Sequence, residues 1–251
     1  MSPVAVSVIE GRNAVLEALR AGAPVRRIML AEGSGGKPLD ELVRLAQASG
    51  VKVERVSRRM LDDRSERGAH QGVLAELEPF AFTDLTDVIG RVGERSRSLV
   101  VVLDHVTDPG NLGAVARSLE VAGGDALIVP RHRSAAIGAG AYKTSAGALA
   151  HLPVVQEPNL VRALERLKDA GYWVAGADAS GDKDLWEAPL DGRLALVLGS
   201  EGEGLSRLVR EACDFLVGIP VAGRVDSLNV AQAATVLAFE WVRRARDGEA
   251  R

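Results

Sequence analysis

The chain has 251 residues, 47% of them hydrophobic and 26% charged, with a formal net charge of −3. That size allows one large or two small domains with a substantial core. The slightly acidic balance excludes a generally basic nucleic-acid coat, so any such contact must use a local patch. One cysteine, Cys213, excludes an intramolecular disulfide and reads as a helix-end packing residue. Four scattered histidines (His70, His105, His132, His151) give no metal-ligand spacing, so no metal is expected. No apolar run is long enough to span a bilayer and no signal peptide is recognisable, so the expected location is cytoplasmic.

Residues 11–21 have helical spacing, with Val15, Leu16 and Leu19 inward. A strand is expected over 25–30. Pro38 opens a helix that runs through Leu39, Leu42, Val43 and Ala46 and ends near Gly50. A strand over 51–56, a short charged helix over 57–63 and the turn Gly68-Ala69-His70-Gln71-Gly72 lead to a strand over 73–77. Residues 80–97 read as a linker carrying a short helical pattern at 85–89. No repeat of fixed period is visible.

From Ser98 a second α/β unit begins. Leu99-Val100-Val101-Val102-Leu103 is a near-continuous β-branched run, as in a parallel strand covered on both faces. A loop over 104–111 precedes a helix over 112–122 that closes at Gly123-Gly124. A strand follows over 126–129, then a stretch rich in small residues over 131–150. Asn159 can cap the next helix, and another strand is expected over 172–177. Alternating strands and helices point to a mostly parallel sheet.

The chemistry concentrates near the end. The apolar strand 194–198 stops at Gly199-Ser200-Glu201-Gly202-Glu203-Gly204, and Leu205, Leu208, Val209 and Ala212 then fall on one helical face. A strand over 215–220 leads to a second polar loop, 222–229, and to a helix from Val230 to about Arg244. Two glycine-bearing loops at the carboxyl ends of strands are where an α/β sheet places a nucleotide-like ligand, because backbone NH groups can approach it closely. Three constellations stand out. Asn111, with Arg117 six residues on, reads in isolation as a cap and a snorkelling arginine. The glycine loop holds Glu201. Ser227-Leu228-Asn229 opens the last helix, where Ser227 alone would be an ordinary cap.

Taken together, and in this order, these three resemble the three motifs of the TrmH/SpoU class of RNA 2'-O-methyltransferases in the SPOUT superfamily. The flanks Ile219-Pro220 and Ser145-Ala146-Gly147-Ala148 fit as well. The Gly68–Gly72 turn extends the likeness into the first domain, which resembles the L30e-like substrate-binding domain of the family. The closest resemblance is to bacterial 23S rRNA (guanosine-2'-O)-methyltransferases. Two positions depart from the usual pattern: Ala231, where the family often has serine, and Gly110, where many members have histidine. The latter bears on the substrate side of the loop.

The resemblance implies an L30e-like α/β domain over 1–79, a linker over 80–97, and over 98–251 a Rossmann-like domain with a trefoil knot. It implies S-adenosyl-L-methionine held by backbone around Leu198, Gly199, Ile219 and Leu228. It also implies a homodimer through the C-terminal domain, an RNA substrate, and no DNA or membrane partner. Arg117, Asn111, Glu201, Ser227 and Asn229 are the expected catalytic set. Such families assign Arg117 as the base, but a guanidinium keeps its proton at neutral pH. The expected role of Arg117 is therefore to grip the phosphate beside the reacting ribose, with Glu201 orienting Arg117 or the substrate. Ser227 and Asn229 would set the loop and bond the target nucleotide or Arg117. Arg55, Arg58, Arg59, Arg64, Arg67, Arg131 and Arg133 are candidate RNA contacts. A tRNA substrate and a non-catalytic RNA-binding ribosome-assembly protein remain the alternatives. A dinucleotide enzyme is disfavoured, because the glycine loop lacks the G-x-G-x-x-G form and comes late.

Overall fold

The computed structural model describes residues 8–65, 68–181 and 183–249, and these form two compact units. The first holds β1 (Val8–Glu10), α1 (Arg12–Arg20), β2 (Val25–Ala31), α2 (Lys37–Ala48), β3 (Lys52–Val56), α3 (Arg58–Asp62) and β4 (Val73–Leu77). Its sheet order is β1-β4-β2-β3, with β2 and β3 parallel and β4 antiparallel to both neighbours. Pro38 sits in the first turn of α2, where its missing N–H costs nothing, and Leu39, Leu42 and Ala46 form the buried stripe. Ser57 caps α3 by accepting from Met60 N–H.

The turn before β4 is built on His70, which is almost fully buried. Its Nδ1 accepts from Gly72 N–H at 3.0 Å, so Nε2 carries the proton that meets Asp62 at 2.8 Å. The histidine thus holds the turn from inside, a structural use of that residue.

The second unit begins at Phe82. It contains α4 (Leu85–Val92), β5 (Ser98–Leu103), α5 (Pro109–Val121) and β6 (Ala126–Pro130). The chain then makes α6 (Ala139–Ser145), which with Ile137–Gly147 belongs to the first unit. It resumes with a 3-10 turn (Ala148–Ala150), β7 (Val154–Glu157), α7 (Leu160–Asp169), β8 (Trp173–Ala177), β9 (Lys183–Asp184), β10 (Arg193–Leu198), α8 (Arg207–Glu211), β11 (Phe215–Gly218) and α9 (Val230–Glu249). The seven strands are all parallel, in the order β7-β6-β5-β10-β8-β11-β9. Every residue of β5 is buried, which explains its unbroken apolar run: helices cover both faces.

Four expectations are corrected. Residues 82–97 are no linker: Asp84 caps α4, Leu85 and Val88 enter the main core, and Thr83 bridges to Val155. The segment 137–147 departs from a contiguous second domain. Asn111 is not a cap. Asp108 is, accepting from Asn111 N–H at 2.7 Å, because Pro109 can only start a helix and so moves the cap upstream. Finally, α8 is too short to present a four-residue face; Leu205 and Val209 are buried while Leu208 is 56% exposed.

Candidate active site

The sheet order reverses around β10. From β5 the chain moves out to β6 and β7, then crosses to β8, and β10 fills the place between β5 and β8. Ligands in such sheets sit outside the carboxyl ends of strands at this kind of switch point. A cavity of about 360 Å³ lies there, walled by the ends of β8 (Ala177–Ala179), β10 (Leu198 to Gly204) and β11 (Val217, Ile219), by the segment before α9 (Asp226 to Leu228) and by Val230 and Ala233 of α9.

The floor is the glycine loop. Ser200 and Gly204 exchange backbone hydrogen bonds at 3.1 and 3.0 Å, closing a tight turn whose Gly202 and Gly204 have φ of 89° and 68°. Gly199 has no room for a side chain: a Cβ there would lie 2.1 Å from the carbonyl carbon of Gly204. The loop leaves into α8, whose Ser206 N–H is bonded by the buried carboxylate of Asp104 at 2.7 Å. Leu198, Gly199, Ile219 and Leu228 all line the cavity.

One wall is Asp178. Burial would raise its pKa, but the hydroxyl and N–H of Ser180 and the guanidinium of Arg210 all bond the ionised form, and the net effect holds the carboxyl below the usual range. Burial pushes the Cys213 thiol up to about 11, so it is uncharged at neutral pH and serves packing.

At the rim, three of the expected residues meet. Asn111 Nδ2 donates to Glu201 Oε1 at 3.0 Å, and Asn229 Nδ2 donates both to that oxygen at 2.5 Å and to Asn111 Oδ1 at 2.9 Å. Asn229 Oδ1 accepts from Ala231 N–H at 2.9 Å, so Asn229 caps α9 and Ser227 does not. The alanine at 231 leaves this contact intact, since only its backbone takes part. Helices α5 and α9 are tied again one level deeper, where Ser118 and Thr235 hydroxyls meet at 2.6 Å. Ser227 lines the cavity but is exposed. Arg117 is exposed on α5, and among the described residues its side chain has no partner; the expected pairing with Glu201, Ser227 or Asn229 is absent within the chain.

Two carboxylates escaped the sequence reading: Asp104, which fixes the exit of the glycine loop, and Asp178, which fixes the cavity wall. The signal for both was a single acid directly after an apolar strand, at the ligand-binding end of the sheet.

Losing the Asn229 side chain removes a helix cap, worth ~1 kcal/mol, and unties two rim partners at once. Asn229→Ala is therefore expected to lower stability by about that amount in denaturant titration and to slow turnover far more than this loss implies.

This parallel sheet, with a glycine-floored cavity at its switch point and a polar amide–carboxylate cluster on the rim, defines an α/β enzyme class built to hold a nucleotide-like cofactor beside a polar substrate group. Comparison with known proteins says which. The family model described as the SpoU rRNA Methylase family matches residues 98–239, and one described as RNA 2'-O ribose methyltransferase substrate binding matches residues 8–83. The chain is 42% identical over 241 residues to an uncharacterized tRNA/rRNA methyltransferase of Mycolicibacterium vanbaalenii, covering 95% of this chain and 77% of that one. It is 37% identical to a protein of Staphylococcus aureus (strain MSSA476) described as a TrmH-family tRNA/rRNA methyltransferase, covering 96% and 97%. Among solved structures, the SpoU methyltransferase AviRb from Streptomyces viridochromogenes, in complex with AdoMet, superposes with a TM-score of 0.68 at 30% identity, covering 95% and 90%. The chain belongs to the SpoU/TrmH family of RNA methyltransferases, which use S-adenosylmethionine.

Proposed function

We propose that this enzyme methylates a ribose 2'-hydroxyl of 23S rRNA, most specifically at a guanosine, with the first unit binding the RNA and the second carrying the chemistry in the cytoplasm. The observation that carries the reading is the rim cluster of Asn111, Glu201 and Asn229 beside the glycine-floored cavity. An L30e-like first unit and a trefoil knot in the second belong to the same proposal. The knot is supported by β10, which enters between two strands laid down before it, and by the 219–229 segment, which returns to the glycine loop. Among the described residues no helix is long and apolar enough to cross a membrane.

The cavity suits S-adenosylmethionine. Leu198, Ile219 and Leu228 offer apolar surface to an adenine ring, and the missing side chain at Gly199 lets backbone come close. The cofactor, when bound, supplies an electrophilic methyl group. The chain's own residues then do the positioning. Glu201, held by two amides, keeps its second carboxylate oxygen for a substrate hydroxyl or for a guanidinium. Arg117 grips a phosphate next to the reacting ribose, and that phosphate or solvent takes the hydroxyl proton, since the guanidinium cannot. Orientation of this kind can remove up to ~7–11 kcal/mol from a barrier in ideal cases.

A homodimer through the C-terminal unit completes the proposal. Val121 on α5 and Phe239 on α9 are exposed apolar residues on the two helices that carry the site, and Arg117 stands free on α5 among the described residues. RNA contact by the first unit is supported by Arg58 and Arg59, exposed and without side-chain partners among the described residues. Arg55 is exposed but bonded to Ser34 carbonyl, and Arg64 lies beside Glu76; Arg67 lies outside the described residues. Replacing both Arg58 and Arg59 by glutamine is expected to weaken RNA binding and to reduce its salt dependence by up to about two contacts. Unchanged affinity across salt concentrations would remove this pair from the interface.

The substrate is tested by methyl transfer from labelled S-adenosylmethionine to rRNA and tRNA, kept separate, from a strain lacking the gene. Label in large-subunit rRNA is the expected outcome. Label only in tRNA would keep the chemistry and replace the substrate; a tRNA remains the second reading because the relatives' names span both RNAs. Cofactor binding without label in either would contradict both.

A further inference from the structure

Outside the cofactor cavity, the carboxyl ends of β5 and β6 bring together three polar groups that lack a shared partner. Asp104 is fully buried, with Oδ1 2.5 Å from His105 Nδ1 and Oδ2 on Ser206 N–H. The ring of His105 is therefore fixed at Nδ1, and only Nε2 is left to face outward. Arg133, on the loop after β6, brings Nη1 to 3.5 Å from that Nε2, too long for a good hydrogen bond. The next residue, Ser134, has the only buried side-chain polar atom without a hydrogen-bond partner among the described residues. The two loops are pinned to each other by Ala135 N–H, which donates to Val106 carbonyl at 2.9 Å. His105 and Arg133 have φ of 59° and 55°, left-handed backbone that such side chains seldom adopt. The fold thus brings two nitrogen groups within 3.5 Å of each other, and the residue that follows Arg133 has a hydroxyl without a hydrogen-bond partner.

We propose that His105 and Arg133 form a phosphate-binding subsite for the RNA backbone on the methyltransferase unit. An anion is what the chemistry selects. The Arg133 guanidinium is a permanent cation with His105 Nε2 3.5 Å away, so one oxyanion can meet both groups. Asp104 is fully buried and already bonded on both oxygens. The cluster offers neither an aromatic face for stacking nor an acceptor pattern for a base edge, so it fixes position and carries no sequence preference. His105 stands six residues before Asn111 on the segment leading into α5, so the phosphate it holds belongs to a nucleotide near the one being methylated. The subsite rests on the RNA reading above.

The test uses the full chain with deproteinised total RNA from a strain lacking the gene. Methyl transfer is measured against RNA concentration at several salt concentrations for the wild type, Arg133→Asn and His105→Asn. Asparagine tolerates left-handed φ, so the backbone is kept. We expect KM for RNA to rise about tenfold in Arg133→Asn and several-fold in His105→Asn, with that rise exceeding any fall in kcat. The slope of log affinity on log salt should fall by roughly one in Arg133→Asn. Cofactor affinity, measured by calorimetry, should stay at the wild-type value. Unchanged KM and salt slope in both asparagine variants would overturn the subsite while leaving the RNA reading intact, and so would an equal loss of cofactor affinity, which marks a purely structural role. A wild type that methylates no RNA would instead overturn the RNA reading, and the subsite with it.

Discussion

Replacing Arg117 by alanine is expected to reduce turnover by about 10²–10³-fold while leaving S-adenosylmethionine affinity within about twofold. The magnitude follows from the proposed role, since a reacting group displaced by an ångström can cost ~10² in rate, and a lost charge-assisted bond to phosphate adds to that. The separation of effects follows from place. Arg117 is exposed on α5 and does not line the cavity, so the cofactor site should not register its loss. Arg117→Lys should recover only part of the rate, because an ammonium lacks the planar fork that orients a phosphate. Parallel calorimetry and single-turnover kinetics check this. Equal loss of both functions would mean that the arginine supports the fold.

Gly199→Ala is expected to have the opposite signature. A Cβ would sit 2.1 Å from the Gly204 carbonyl carbon and 2.4 Å from Leu205 nitrogen, both backbone atoms that no rotamer change can move aside. The turn must open, breaking the paired Ser200–Gly204 bonds and shifting the cavity floor. Overpacking of this kind costs ~1–3 kcal/mol in stability, and a close backbone approach lost on several bonds weakens cofactor binding by about 10²-fold. Gly123→Ala, away from the cavity, is the control. It has a φ of 75° but open space around it, so it should cost only the ~1–2 kcal/mol of a left-handed alanine. Thermal unfolding and cofactor titration of the two variants distinguish crowding from backbone strain; equal effects would contradict crowding as the cause.

Strands β5 and β10 were legible because burial on both faces demands unbroken apolar runs, whereas β7 (Val154–Glu157) was not expected. Helix α7 was legible through Asn159, which caps it by accepting from Arg162 N–H. What local pattern could not carry was packing at a distance. Residues 85 and 88 have ordinary helical spacing, and only the tertiary core turns them from a linker into structure. The three-residue strand β1 and two-residue β9 are too short for any period to register. The small-residue segment 137–147 gives no hint of which unit it joins. At the site, Asn111 alone was expected as the cap, and Pro109 in the first turn moves the cap to Asp108. The rim cluster joins residues 90, 28 and 118 positions apart, so spacing alone could never unite them; the resemblance between motifs did. Arg117 was expected among these residues, and the fold leaves it outside them, facing solvent.

Where the transferred methyl group resides is the most direct test of ribose chemistry. RNA methylated with labelled S-adenosylmethionine is hydrolysed completely in alkali, which cleaves a phosphodiester by attack of the neighbouring 2'-hydroxyl. A methylated 2'-oxygen cannot attack, so all label is predicted to be recovered in an alkali-resistant dinucleotide. Label recovered in mononucleotides would place the methyl on a base and contradict 2'-O transfer.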